Sequence, residues 1–199
     1  MKGPCQLSRN QRWFFGPFQL DVSQKAASIA SRAFYRHEFQ KWRFNLEGYL
    51  GFSRQSDTNN CFEYTQIFRN GVFEVVDAFN FNTIDDLTKI PSVLYEKTLI
   101  KKLKNILEFY PQINIQPSIY VSLAFVDIKG KTLAIDHDYP IDAPIPFDRE
   151  VISTPEIIID SFDIDPSLAL QPLFDMVWQS VGYSRCGNYD QNGKFSYQL

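Results

Sequence analysis

Histidine occurs only twice and cysteine three times in this 199-residue chain. Cys5, Cys61 and Cys186 stand far apart and form no C-x-x-C pair, so the spacing of a zinc site or a disulfide framework is missing. An odd, scattered set of thiols fits a reduced, cytoplasmic setting. His37 and His137 do not fall in a His-Glu-x-x-His pattern. The chain also has no Gly-x-Ser-x-Gly elbow and no Gly-x-x-x-x-Gly-Lys-Ser/Thr phosphate loop. Those absences remove the usual local signatures of zinc peptidases, serine hydrolases and P-loop nucleotidases, and no cofactor is expected. Basic residues are not in excess: 20 Lys and Arg face 23 Asp and Glu, for a net charge of −3. The global charge of a nucleic-acid-binding domain is therefore lacking. No apolar run is long enough to cross a membrane. The start, Met1-Lys2-Gly3-Pro4-Cys5, lacks the apolar core of a secretory signal. The expectation is a soluble cytoplasmic protein with no membrane association.

Aromatic residues are what the chain has in plenty, at 16% with 18 Phe and 10 Tyr. Phe174, Trp178, Tyr183, Tyr189, Phe195 and Tyr197 crowd the C-terminus, where chains normally fray. Rings of that size need burial, so the tail is expected to dock. The length suits one domain over residues 1–199, with 1–42 as a less regular N-terminal extension.

Several elements are legible from local pattern. Trp13 to Leu20 reads as a short strand broken at Gly16-Pro17, and Ser23 caps a helix running through Ala30. Arg43 to Phe52 alternates as one strand, with Gly48 as a bulge or close approach. Cys61–Arg69 and Val72–Phe79 flank Asn70-Gly71, the signature of a two-residue type I′ hairpin. That register sets Arg69 opposite Val72 and Ile67 opposite Glu74, leaving Arg69 and Glu74 diagonal on one face. Leu99, Ile100, Leu103, Ile106, Leu107 and Tyr110 repeat at helical spacing after Pro91-Ser92, and Pro111 ends that helix. Ile119–Val126 is a buried strand, Lys129-Gly130-Lys131 a turn, and Thr132–Ile135 its return strand. Residues 136–150 form an irregular loop and Pro155–Ile159 a further strand. Pro166–Val181 is the last helix, with Asp165 as N-cap and Gly182 at the C′ position. Together these predict an α+β fold: a mostly antiparallel sheet around a central β-hairpin, packed by two or three helices.

Three groups could carry chemistry or binding. Asp136, Asp138 and Asp142, beside His137, are the densest potential ligands for Mg²⁺ or Mn²⁺, although prolines break up their loop. Lys97, Lys101 and Lys104 lie opposite the apolar stripe of the long helix, as a solvated face or a phosphate-binding edge. Arg69 and Glu74 at the hairpin, and Asp175, Trp178, Tyr189 and Asp190 in the tail, are the remaining candidates for binding. Asp175 and Trp178, three apart, share a helix face.

The words Arg43-Phe44-Asn45-Leu46-Glu47-Gly48 and Gln66-Ile67-Phe68-Arg69-Asn70-Gly71-Val72-Phe73-Glu74 resemble "R-x-N-x-D/E-G" and "Q-x-F-R-N-G-x-x-E" of certain bacterial proteins. Those proteins begin with a Schlafen/Alba-type DNA-binding domain. The tail, Pro172-Leu173-Phe174-Asp175 with Trp178, Gly182, Asn188-Tyr189-Asp190 and Gly193, resembles their C-terminus. The similarity spans about Arg43 to Phe195, and the Schlafen/Alba-type domain itself has no counterpart before Arg43. The resemblance implies association with a bacterial nucleic-acid-related stress or defence system, and not DNA binding by this chain. The leading expectation is a non-enzymatic interaction or sensing module whose partner is another protein. The alternatives are a metal-dependent enzyme acting on nucleic acid through Asp136, Asp138 and Asp142, and direct nucleic-acid binding through Lys97, Lys101 and Lys104.

Overall fold

A computed structural model of the chain describes residues 6–7, 11–15, 41–52, 60–61, 63–78, 88–135 and 145–198. Its strands are β1 (Gln6–Leu7), β2 (Gln11–Phe15), β3 (Lys41–Phe44), β4 (Gly48–Phe52), β5 (Asn60–Cys61), β6 (Glu63–Phe68), β7 (Phe73–Asp77) and β8 (Lys89–Pro91). Helix α1 (Ser92–Phe109) follows and continues into a 3-10 turn over Tyr110–Ile113. After it come β9 (Ile119–Val126), β10 (Thr132–Ala134), β11 (Val151–Ser153), β12 (Ile157–Ile159) and α2 (Pro166–Gln179). The main sheet has eight strands in the order β11-β9-β2-β7-β6-β4-β3, with β12 also paired to β9. All its pairings are antiparallel. The protein is α+β, a mostly antiparallel sheet packed by two helices.

β9 shows why the sheet has one core face. Ile119, Val121, Leu123 and Phe125 alternate inward and are buried, while Tyr120 between them is exposed. The helices cover that inner face. Phe73 of β7 meets Phe109 and Tyr110 edge-on at 5.3 and 5.4 Å. Tyr95 of α1 sits edge-on between Phe125 of β9 and Phe174 of α2, at 5.2 and 5.9 Å. Such edge-to-face contacts add about 1 kcal/mol each to the area they bury. α2 starts as its sequence dictates, with Asp165 accepting from Ser167 N and Pro166 at the first position. It closes at Gly182 (φ +90°), where Tyr183 N donates to Trp178 O and Gly182 N to Gln179 O, a Schellman motif.

Four local expectations are corrected. Arg43–Phe52 is not one strand but a tight hairpin, β3–β4, because Asn45 turns the chain: its side chain accepts from Gly48 N at 2.8 Å. The Asn70-Gly71 hairpin pairs Ile67 with Phe73 and Gln66 with Glu74, one residue out of the expected register. Its loop has three residues, Arg69-Asn70-Gly71: Gly71 N donates to Phe68 O, and Gly71 takes φ +85°. That is a type I turn followed by a left-handed glycine, the next most common solution after type I′. Thr132–Ala134 does not return along β9 but lies parallel to β8, in a separate two-stranded pair. The long helices stop two or fewer residues short of the expected ends, in turns held by their last carbonyls. Of the strand expected over Trp13–Leu20, residues 13–15 lie in β2, while 16–20, the helix expected at 23–30 and the acidic residues Asp136, Asp138 and Asp142 lie outside the described residues.

Candidate functional site: a buried carboxylate and a pinned turn

Two polar clusters join segments that are distant in sequence. The first is built on Glu96, one turn into α1 from Ser92 and in line with Leu99, Ile100 and Leu103 on the buried face. Its side chain is fully buried. Oε1 accepts the indole N–H of Trp178 at 2.9 Å and, at 3.5 Å, the thiol of Cys186. Oε2 accepts Nδ2 of Asn188 at 2.7 Å. One carboxylate therefore holds α2 and the segment beyond it to α1. The groups acting on it, Asn188, Trp178, Tyr95 and Cys186, are all neutral, and burial dominates: its pKa is raised to about 7. Burial and the neighbouring Glu96 push the Cys186 thiol up, which leaves it an unreactive neutral donor. The Tyr95 hydroxyl lies close enough to lower the pKa of Glu96, yet falls short of hydrogen-bond geometry. It and Asn188 Oδ1 are buried polar atoms without a partner.

The tail candidates converge around this cluster. Trp178 is fully buried and edge-on to Tyr183 at 5.2 Å. Asp175 accepts Cys186 N at 2.7 Å, fixing the start of the returning segment. The Tyr189 hydroxyl donates to Ser167 O at 2.7 Å, back at the N-terminus of α2. Asp190 accepts Asn192 N and Lys194 N and so shapes the loop that lets Tyr189 bridge to Phe195. Those backbone donors hold its carboxyl below the usual range. Each of the four thus anchors the tail. Glu96 escaped the sequence reading. Its signal was an acidic residue inside an apolar helical stripe, which demands either a partner or a proton.

The second cluster pins the β3–β4 turn to the β6–β7 turn. Asn45 Nδ2 donates to Gln66 Oε1 at 2.7 Å, Arg69 N to Glu47 O at 2.9 Å, and Arg69 Nε to Leu46 O at 3.0 Å. Gly48 is required there: a Cβ on it would sit 2.1 Å from Ile67 O. Arg69 is exposed in the turn and makes no ion pair with Glu74, which is buried on β7 and accepts the Tyr64 hydroxyl at 2.7 Å. The two sequence words 43–48 and 66–74 thus meet in space as a latch. At its tip Leu46 is 91% exposed, and Phe44 beside it is half exposed and packed on Tyr49.

The three lysines of the stripe all lie on α1. Lys101 and Lys104 are exposed, Lys97 is half-buried, and Lys104 lies 4.0 Å from Glu108. The neighbouring Lys102 turns inward to Glu63, 3.8 Å away in a buried pair. Among the described residues no group of three or more His, Cys, Asp or Glu is placed to hold a metal ion. No described helix is long and apolar enough to cross a membrane. No family model matches the chain, and no curated protein or solved structure matches it either.

Proposed function

We propose that this chain is a non-enzymatic interaction module that offers the pinned β3–β4 turn to another protein in the cytoplasm. Leu46 carries the reading. A lone exposed leucine is ordinary, but this one tops a turn held by three hydrogen bonds from Asn45 and Arg69. Because the backbone beneath it is already held, docking Leu46 costs little backbone entropy, which is how a small knob contributes disproportionately to affinity. Arg43, over the ring of Phe52 at 5.4 Å, and Arg69 add exposed positive charge around it and Glu47 one exposed negative charge, so an apolar pocket with a mainly acidic rim is the complementary surface. The resemblance to Schlafen/Alba-associated bacterial proteins supports a nucleic-acid-related stress or defence system as the setting.

The test is capture by wild type and by Leu46→Asp from the cells that make the protein, followed by reconstitution with the purified partner. Because Leu46 is almost fully exposed, the variant should fold. The expected result is one protein retained by the wild type, lost by the variant, and rebound in isolation with Kd weakened at least about tenfold. Retention unaffected by Leu46→Asp, or Mg²⁺-dependent nuclease activity that needs no partner, would overturn it.

A further inference from the structure

We propose that Glu96 is a proton-operated latch on the C-terminal segment Gly182–Gln198: protonated, it holds the segment down, and ionised, it loosens it. The geometry assigns this role to one residue. The carboxylate is sealed, and its hydrogen bonds beyond α1 come from Trp178 of α2 and from Cys186 and Asn188 of the returning segment. The other titratable groups packed about the junction are Tyr95 on α1, Asp165 and Asp175 at α2, and Tyr189 on the segment. All are acids, and none is a cation that could stabilise an ionised Glu96. Two buried polar atoms at the junction, Tyr95 Oη and Asn188 Oδ1, lack a partner; the Tyr95 hydroxyl can serve either form of the carboxyl, but Asn188 Oδ1 can only accept, and a protonated carboxyl supplies a donor for it. Turning over the Asn188 amide presents Oδ1 to a protonated Oε2, an orientation that heavy-atom positions alone do not distinguish.

An ionised Glu96 is buried without a counter-ion, whereas in an opened segment it is hydrated. Opening therefore becomes easier as pH rises from the ordinary carboxyl range to the raised value, and levels off above it. Opening also bares Trp178, Tyr95 and Cys186, so the segment doubles as a removable cover over an apolar surface.

Cys186, fully buried on this segment, reports the opening directly. The full chain with Cys5→Ser and Cys61→Ser would be labelled with a thiol reagent at pH 5 to 9. Each rate would be divided by that of the same thiol in the urea-unfolded chain at the same pH. The expected ratio rises about tenfold per pH unit between pH 5 and 7 and flattens above about pH 8. Amide exchange over 186–198, corrected for its intrinsic rate, should rise in parallel. Glu96→Gln, which keeps the size and the acceptor oxygen, should give a flat ratio. A flat ratio in the Glu96-containing chain, a rise that persists in Glu96→Gln, or labelling that rises without amide exchange would each overturn the proposal. The first and third readouts need no change at Glu96, so they decide the matter even if that variant does not fold.

Discussion

The latch between the two turns and the junction at Glu96 use the same kinds of group and do opposite work. Both tie together segments far apart in sequence through side-chain amides and a long polar residue. At the turns the bonds are partly wet, and losing one lets water replace it, so each is worth about 1 kcal/mol. At Glu96 the carboxylate is fully buried, and every donor removed leaves a charge or dipole stranded in a low-dielectric interior. The wet cluster positions a surface; the dry one sets a condition on folding. Water access, more than the count of hydrogen bonds, separates them.

The contrast is broken most severely by cutting the chain before Asp175. That removes Val177, Trp178, Cys186, Tyr189 and Phe195 from the core along with the Glu96 donors Trp178, Cys186 and Asn188. The expected outcome is an insoluble product; a soluble truncation with a cooperative thermal transition would show that the tail is an accessory. Next in size is Trp178→Ala, expected to lower the free energy of unfolding in urea by about 3–5 kcal/mol, since it empties a fully buried site and strips a donor from the carboxylate. A loss under about 1 kcal/mol would place the indole outside the core.

A pH series sharpens the comparison further. The folded pKa of Glu96, about 7, lies above its ordinary value of 4.5, so the folded state binds the extra proton. The stability this supplies is complete below about pH 4.5 and is lost as pH rises through about 7, a change of about 3 kcal/mol. Asp190, with its folded pKa depressed, works in the opposite sense at lower pH. The clean quantity is therefore the difference between wild type and Glu96→Gln, measured by urea unfolding at each pH. It should move against the wild type between pH 5 and 7.5; a difference constant with pH would show that Glu96 titrates normally. At the other cluster, Asn45→Ala should cost about 1 kcal/mol and show no dependence on pH near neutrality. A larger or pH-dependent loss would mean that the turns are as dry as the junction.

How much of this was legible in the sequence follows the same line between local and tertiary causes. α2 could be read almost to the residue because its signals, Asp165, Pro166 and Gly182, act on the adjacent backbone. β9 was placed at its residues, Ile119–Val126, but as a buried apolar run, whereas only alternate side chains face the core and Tyr120 is exposed. The hairpin at Asn70-Gly71 was placed correctly but in the wrong register, because the same dipeptide serves a two-residue or a three-residue loop. The choice is made by pairing farther along, where Phe73 must meet Ile67 on the core face. β10 joined β8 and not β9, a parallel contact that no local pattern announces. In the tail, Asp175, Trp178, Tyr189 and Asp190 were singled out, and all four turned out to fix the segment. Of the four only Trp178 bonds Glu96, which sits 82 residues before it. The role of Glu96 depends on what surrounds it in space.

The most direct measurement follows the indole Nε1–H of Trp178, which donates straight to the Glu96 carboxylate. In ¹⁵N-labelled protein its resonance should titrate between pH 5 and 9 with a midpoint near 7, while a Glu96→Gln chain shows no such step. A midpoint near 4.5, or an indole resonance that does not move over that range, would contradict the account of Glu96 as a sealed, proton-holding junction.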